Sequence, residues 1–220
     1  MDYGQAFSYV WKDPDWIKKI LIASVVALVG TFTGIVMIPL AGWSVAIARH
    51  VIRGEEPVLA EWADLGTLIV DGLKVVVVAL VWFIPYFLVF GCFFTIAAIA
   101  GNQDQSGTVQ TVTQILNACI GLPYLIVWGL LLPASIGEIA DHGQLGRALN
   151  PLNAFKVLRA NLGGYVVCLV IVAAVMIIIY PLSFVVCLLG EFVVLAYMYA
   201  LSGHLYGQAY KVAQSRGAAV

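Results

Sequence analysis

The sequence predicts an all-α integral membrane protein: six membrane-embedded helices, arranged as three pseudo-repeated hairpins, each preceded by an amphipathic helix at the cytoplasmic interface. Three observations predict it. Of 220 residues, 62% are hydrophobic and only 10% charged, against about 25% charged residues in a soluble domain, so lipid must solvate much of the surface. Uncharged runs recur at or above the roughly 20 residues that a bilayer core demands. Finally, all Lys and Arg residues fall on one side of the topology these runs imply.

From Ile20 to Ala48 no residue is charged, a run too long for one comfortable span and short for two. Gly30, Gly34 and Pro39 interrupt it, and GTFTG (Gly30–Gly34) reads as a tight turn. The run is therefore a short hairpin, shallow or re-entrant, of a helix over about 15–29 and another over about 35–52. A third helix covers about 70–100 with Pro85 kinking it, and a polar turn, GNQDQSGT (Gly101–Thr108), follows. A fourth helix spans about 109–139, a fifth about 162–180 and ended by Pro181, and a sixth about 184–208. The start, MDYGQAFSYVWKDPDW, lacks the basic flank, apolar run and small-residue site of a cleavable signal, so the first hydrophobic stretch is expected to be a retained anchor.

With six crossings the basic residues, from Lys12 to Arg216, lie with both termini and the two loops on that side. The positive-inside rule places that side in the cytoplasm. Ten of the twelve acids share it, all but Asp104 and Glu191. Eleven basic against ten acidic residues make a mixed, near-neutral surface, which excludes a nucleic-acid site. It is suited to local ion pairs or to a protein partner, and the candidate interface is Arg49, Arg53, Glu55, Glu56, Trp62, Lys156 and Arg159. Lys74 and Asp71, three apart at the start of the third helix, are placed to pair.

Short segments precede each odd helix. The first sets Tyr3, Phe7 and Val10 at helical spacing. The second, LAEWADLGTLIVDG, sets Leu59, Trp62, Leu65 and Ile69 on one face. The third, NPLNAFKVLRAN, opens with Asn150 as N-cap and Pro151 at the first helical position, and sets Phe155, Leu158 and Leu162 on one side. The chain is then a single membrane domain, 1–220, of units about 1–54, 55–143 and 144–212. Each unit ends near one histidine: His50, His142 and His204. A ring of three would suit a metal, haem or pigment, but no second ligand type accompanies them, and tolerance of a wet helix end explains them.

The run DYGQAFSYVWKDPDWIKKILIA, with ARHVIRGEEPVLAEWADLGTLIVDGLK, resembles a prokaryotic membrane-protein family, the domain of unknown function four-zero-one-three, over roughly residues 2–80 and more loosely beyond. Its marks are Asp13, Pro14, Trp16, Arg49, Gly54, Glu55, Pro57, Trp62 and Gly72. The resemblance implies a multi-pass membrane protein and supplies no catalytic residues.

Ionisable residues inside a membrane mark function by default, and Glu191 is the clear instance. Gln114, Asn117 and Thr95 fall at a similar depth, so the four form a candidate intramembrane cluster: a solute or proton site, or interhelical glue. No serine-hydrolase, zinc-protease or phosphate-loop signature occurs. Cys92, Cys119, Cys168 and Cys187 sit singly in apolar runs as packing residues. The reading is a non-enzymatic protein without cofactor or metal, a subunit or scaffold of a membrane complex whose partners are the bilayer and other membrane subunits or copies of itself. The alternatives are a small-solute transporter or channel centred on Glu191, and a pigment- or haem-binding subunit. Reporter fusions at both termini should be active on the same side of the membrane, and a cysteine introduced at position 105 should be labelled only from the other; labelling from the side of the termini would overturn the topology.

Overall fold

The structure, a computed structural model, describes residues 1–33, 37–101, 107–183 and 189–218, and all regular structure among them is helical. In order these are α1 (Tyr3–Lys12), α2 (Trp16–Thr33), α3 (Met37–Arg53), α4 (Leu65–Gly101) and α5 (Thr108–Leu116). A π-helical turn, Asn117–Gly121, carries α5 without a break into α6 (Leu122–His142). Then come α7 (Leu145–Leu149), α8 (Pro151–Ala160), α9 (Leu162–Ser183) and α10 (Leu189–Ala213), closed by a second π-helical turn, Gln214–Ala218.

Local chemistry sets the helix ends. Asp2 caps α1 by accepting from the Gln5 N–H at 3.0 Å, and Asn150 caps α8 by accepting from Leu152 N–H at 3.0 Å. Asp64 caps α4, accepting from the Thr67 N–H (3.1 Å) and hydroxyl (2.5 Å). The Thr67 hydroxyl, above all, holds the Asp64 carboxyl below its usual range. This cap therefore supports α4 at neutral pH and is lost as pH falls through that lowered value. At the end of α3, Gly54 takes φ +72° and the Glu55 N–H returns to His50 O at 2.9 Å, a glycine-closed helix end.

Among the described residues four helices are long and apolar enough to cross a membrane: Trp16–Thr33, Leu65–Ile99, Thr108–His142 and Leu162–Ile179. Helices α3 and α10 are not among them, and both are largely enclosed by protein. They are also where the backbones approach most closely. A Cβ on Gly42 of α3 would lie 1.7 Å from Leu68 O of α4, and one on Gly72 of α4 would lie 1.8 Å from Ile38 O of α3. On the other side, Cβ atoms on Gly203 and Gly207 of α10 would lie 2.4 Å from Ser44 O and 2.8 Å from Ala48 O. Small residues four apart, Gly203 and Gly207 against Ser44 and Ala48, let two helices touch backbone to backbone, as in membrane helix pairs. Helix α3 is thus clasped between α4 and α10.

Beyond that clasp the helices differ in reach. At 1.5 Å per residue α2 and α3 are about 27 and 26 Å long, whereas α4 is about 55 Å. The pairing of α4 with α3 is made by its first turns, through Leu68 and Gly72. The rest runs beside α5 and α6 as a hairpin whose apolar windows are only 11% and 6% buried by protein.

Several expectations change. Helix α2 continues through Gly30 to Thr33, with the Thr31 and Thr33 hydroxyls satisfied within it by donating to Ala27 O and Val29 O, 3.0 and 2.9 Å away. Gly30 instead makes room for Met37 of the returning chain. Gly34, most of the polar turn (102–106), Cys187 and the expected start of the last helix at Phe184 lie outside the described residues. Pro181 does not end α9, which keeps its last turn to Ser183; a proline removes one hydrogen bond and clashes only with the preceding turn. No helix occupies the second interfacial segment before Leu65: residues 54–64 run back along α3, with Leu59 and Trp62 buried and Leu65 and Ile69 exposed on α4. In α8 the core face is Asn153, Ala154, Val157 and Leu158, while Phe155 faces outward, as does Leu162 on α9.

Gly42→Leu and Gly203→Leu should each destabilise the bundle by about 3 kcal/mol or more, since backbone, not a movable side chain, blocks the new atoms. Gly163→Ala, where an added Cβ meets nothing within 4 Å, should be neutral. Thermal unfolding in detergent compares the three.

Candidate functional site

Two polar regions stand out. The first is a layer of ion pairs on the face carrying both termini. Lys19 is only 2% exposed. Its ammonium donates to Asp13 Oδ2 (2.8 Å) and Leu59 O (2.9 Å) and pairs with Glu61 Oε1 (2.6 Å). The Trp62 indole donates to Lys19 O at 3.1 Å and the Trp43 indole to Ala60 O at 2.9 Å, and the two rings stack at 5.3 Å. These bonds draw 54–64 back along α3. Arg49 donates to Asp71 Oδ2 (2.6 Å) and to Ala140 O (3.0 Å), and Lys74 donates to Asp71 Oδ1 (2.8 Å), which joins α3, α4 and α6. Glu138, 1% exposed, accepts from the Tyr210 hydroxyl (3.0 Å) and Arg147 Nε (3.3 Å) and lies 3.4 Å from His142 Nδ1.

The second region is a cavity of about 670 Å³ in the outer part of the long hairpin. Helix α4 contributes an aromatic wall, Tyr86, Phe87, Phe90 and Phe94, with Gly91 between them. The facing wall carries Gln110, Thr113, Gln114 and Asn117, three, four and seven residues apart and so on one helix face. Asn117 opens the π-helical turn, a feature that recurs at functional sites. The Tyr86 hydroxyl donates to its Oδ1 at 3.2 Å, and a Cβ on Gly121 would lie 2.3 Å from the same oxygen.

The intramembrane cluster read from the sequence is only partly assembled. Gln114 and Asn117 line one cavity, while the Thr95 hydroxyl donates to Gly91 O within its own helix at 2.8 Å. Glu191 is on α10, which packs against α2, α3, α6 and α9 and not against α4 or α5. Residue count sets an expected depth for each of the four, whereas neighbours depend on which helices touch. The wall missed Gln110 and the aromatic residues, whose helical spacing was visible in the sequence.

Of the candidate interface residues, Arg49 and Trp62 are engaged inside the bundle, and Arg53 faces Glu55 at 3.7 Å. Glu56, Lys156 and Arg159 are exposed. His50 and His204 line a cavity of about 310 Å³ at the terminal face. His50 Nδ1 lies 3.1 Å from Pro57 O, and His204 stacks on Tyr9 with ring centroids 4.4 Å apart. His142 sits apart, between Glu138 and Asp141. Among the described residues no three metal-ligating side chains converge.

The family described as protein of unknown function (DUF4013) matches residues 17–200, and the chain belongs to that family. The match extends well past the segment that carries the resemblance in sequence. No curated protein and no solved structure matches.

Removing Lys19 should leave Asp13 buried without its cation. Lys19→Met is expected to cost about 3–5 kcal/mol, much of it restored by adding Asp13→Leu; chemical unfolding of both variants against wild type reads the difference.

Proposed function

We propose that this protein is a non-catalytic subunit or scaffold of a prokaryotic inner-membrane complex, with both termini in the cytoplasm and partners docking at that face. All six long helices enter the bilayer. Helices α3 and α10 tolerate lower hydropathy because other helices, not lipid, surround most of their length. The buried charges Lys19, Asp13, Asp71 and Glu138 each have partners inside the chain, so they serve as struts between helices. In the long hairpin the described residues of the outer cavity carry no charge, which argues against proton or ion chemistry there.

The observation that carries the docking reading is the outer face of α8. Its inner face is fixed in the core, whereas Leu152 and Phe155 are 70% and 57% exposed. Lys156 and Arg159 flank them, also exposed, and the helix has no acid. A mixed apolar and basic face on a firmly seated helix fits an acidic, partly apolar partner surface.

Extraction of native membranes into polymer-bounded discs, followed by native mass spectrometry, should find the 23.7 kDa chain in a stoichiometric complex. Lys156→Glu combined with Arg159→Glu should weaken that complex while leaving the fold intact. A lone monomer from native membranes would sink the proposal.

A further inference from the structure

The cavity of the long hairpin holds more hydrogen-bonding capacity than the chain uses. The side-chain amides of Gln110 and Gln114 find no partner among the described residues. Asn117 spends its Oδ1 on Tyr86, and its Nδ2 donates to no described residue. An amide left without a partner in an apolar medium costs roughly 2–7 kcal/mol, and two of them, with the Nδ2 of a third, share one wall in a strongly apolar hairpin. Such a wall persists at low cost only if something supplies acceptors.

The cavity constrains what that is. Among the described residues its lining has no Asp, Glu, Lys, Arg or His, so a charged occupant would find no counter-charge there and a neutral one fits. The opposite wall is aromatic, with Tyr86 and Phe90 stacked at 4.5 Å, which calls for a flat, apolar body. From Tyr86 to Ala98 the groove runs about 18 Å, a little more than half of a hydrocarbon core about 30 Å thick, so the occupant lies within the membrane. The unspent groups include the NH2 donors of all three amides, as well as the oxygens of Gln110 and Gln114, so the occupant carries oxygen acceptors for those donors. A volume of about 670 Å³ is that of a small-molecule site. A partner helix, about 10 Å across, docks on outer ridges and does not enter a space between two helices of one hairpin.

We infer that this cavity binds a neutral, membrane-soluble molecule with a planar ring bearing carbonyl oxygens, of the isoprenoid-quinone class. The carbonyls accept from the amides of Gln114 and Asn117, the ring rests on the aromatic wall, and the tail leaves through the cavity's open side into lipid. This site is independent of the cytoplasmic docking reading: neither requires the other.

The test uses the full chain in phosphatidylcholine nanodiscs and a decyl-substituted benzoquinone, with intrinsic tryptophan fluorescence as readout. Saturable quenching at one quinone per chain is expected. Gln114→Leu with Asn117→Leu should weaken binding at least about tenfold, the loss of one or more net hydrogen bonds. Gly91→Phe should abolish it: an added Cβ there meets nothing within 4 Å, so the ring enters the cavity while every amide stays in place. Circular dichroism confirms that each variant folds, and if the double variant does not, Gly91→Phe decides. Decylbenzene, which lacks the carbonyls, should not compete. Non-saturating quenching, binding that survives Gly91→Phe, or equal competition by decylbenzene would each overturn the proposal. So would a wild-type dimer that binds no quinone and that the leucine variant converts to monomer, an outcome that assigns the amides to a second copy.

Discussion

The clasp on α3 sets the terms for the rest of the bundle. Backbone-to-backbone contact requires that no side chain intervene, and the glycines at 42, 72, 203 and 207 meet that requirement on both flanks of one helix. Lipid tails are as apolar as leucine, so association of helices in a bilayer draws on close packing and not on exclusion of water. Close packing of this kind fixes the lateral position of α3 to within a fraction of an ångström. The layer of charges then becomes possible: Arg49 reaches Asp71 on α4 and Ala140 on α6 only because those helices are held near.

The charge layer in turn explains the odd course of residues 54–64. A segment with five apolar residues and a proline forms no helix here because its carbonyls are already wanted. Lys19 takes Leu59 O, and Trp43 takes Ala60 O. Burying Lys19 is tolerable because Asp13, Glu61 and that carbonyl together replace its water. The apolar spacing of Leu59, Trp62, Leu65 and Ile69 mimics a helix face, yet the first two are buried from an irregular segment and the last two lie on α4. Periodicity alone does not separate these cases when two different structures meet within one window.

Helix positions were otherwise legible, since long uncharged runs have few alternatives in lipid. The caps at Asn150 and the Asp71–Lys74 pair were legible too, being local. What escaped the sequence was adjacency. Glu191 and Asn117 fall at a similar expected depth, but among the described residues α10 makes no contact with the π-helical turn that holds Asn117, and nothing in a single chain states which of six helices lie side by side. The Gly203–Gly207 spacing was a usable signal for one such contact; the formally similar Gly30–Gly34 spacing has its first glycine packed against Met37, so spacing without a known partner misleads. The amide stripe of α5 was half read, because a search centred on a carboxylate overlooks uncharged groups that matter just as much in hydrocarbon.

Gln208 grips the backbone of Asp2 with both ends of its amide, accepting from the N–H at 2.9 Å and donating to the carbonyl at 3.0 Å across 206 positions of chain. The first helix therefore completes its packing only against the last, beside its contacts with α2. During synthesis α3 likewise waits, with one flank bare, for α10 to emerge from the ribosome and arrive beside it. The two ends of the chain are thus packed as one unit, which is complete only when its full length is present.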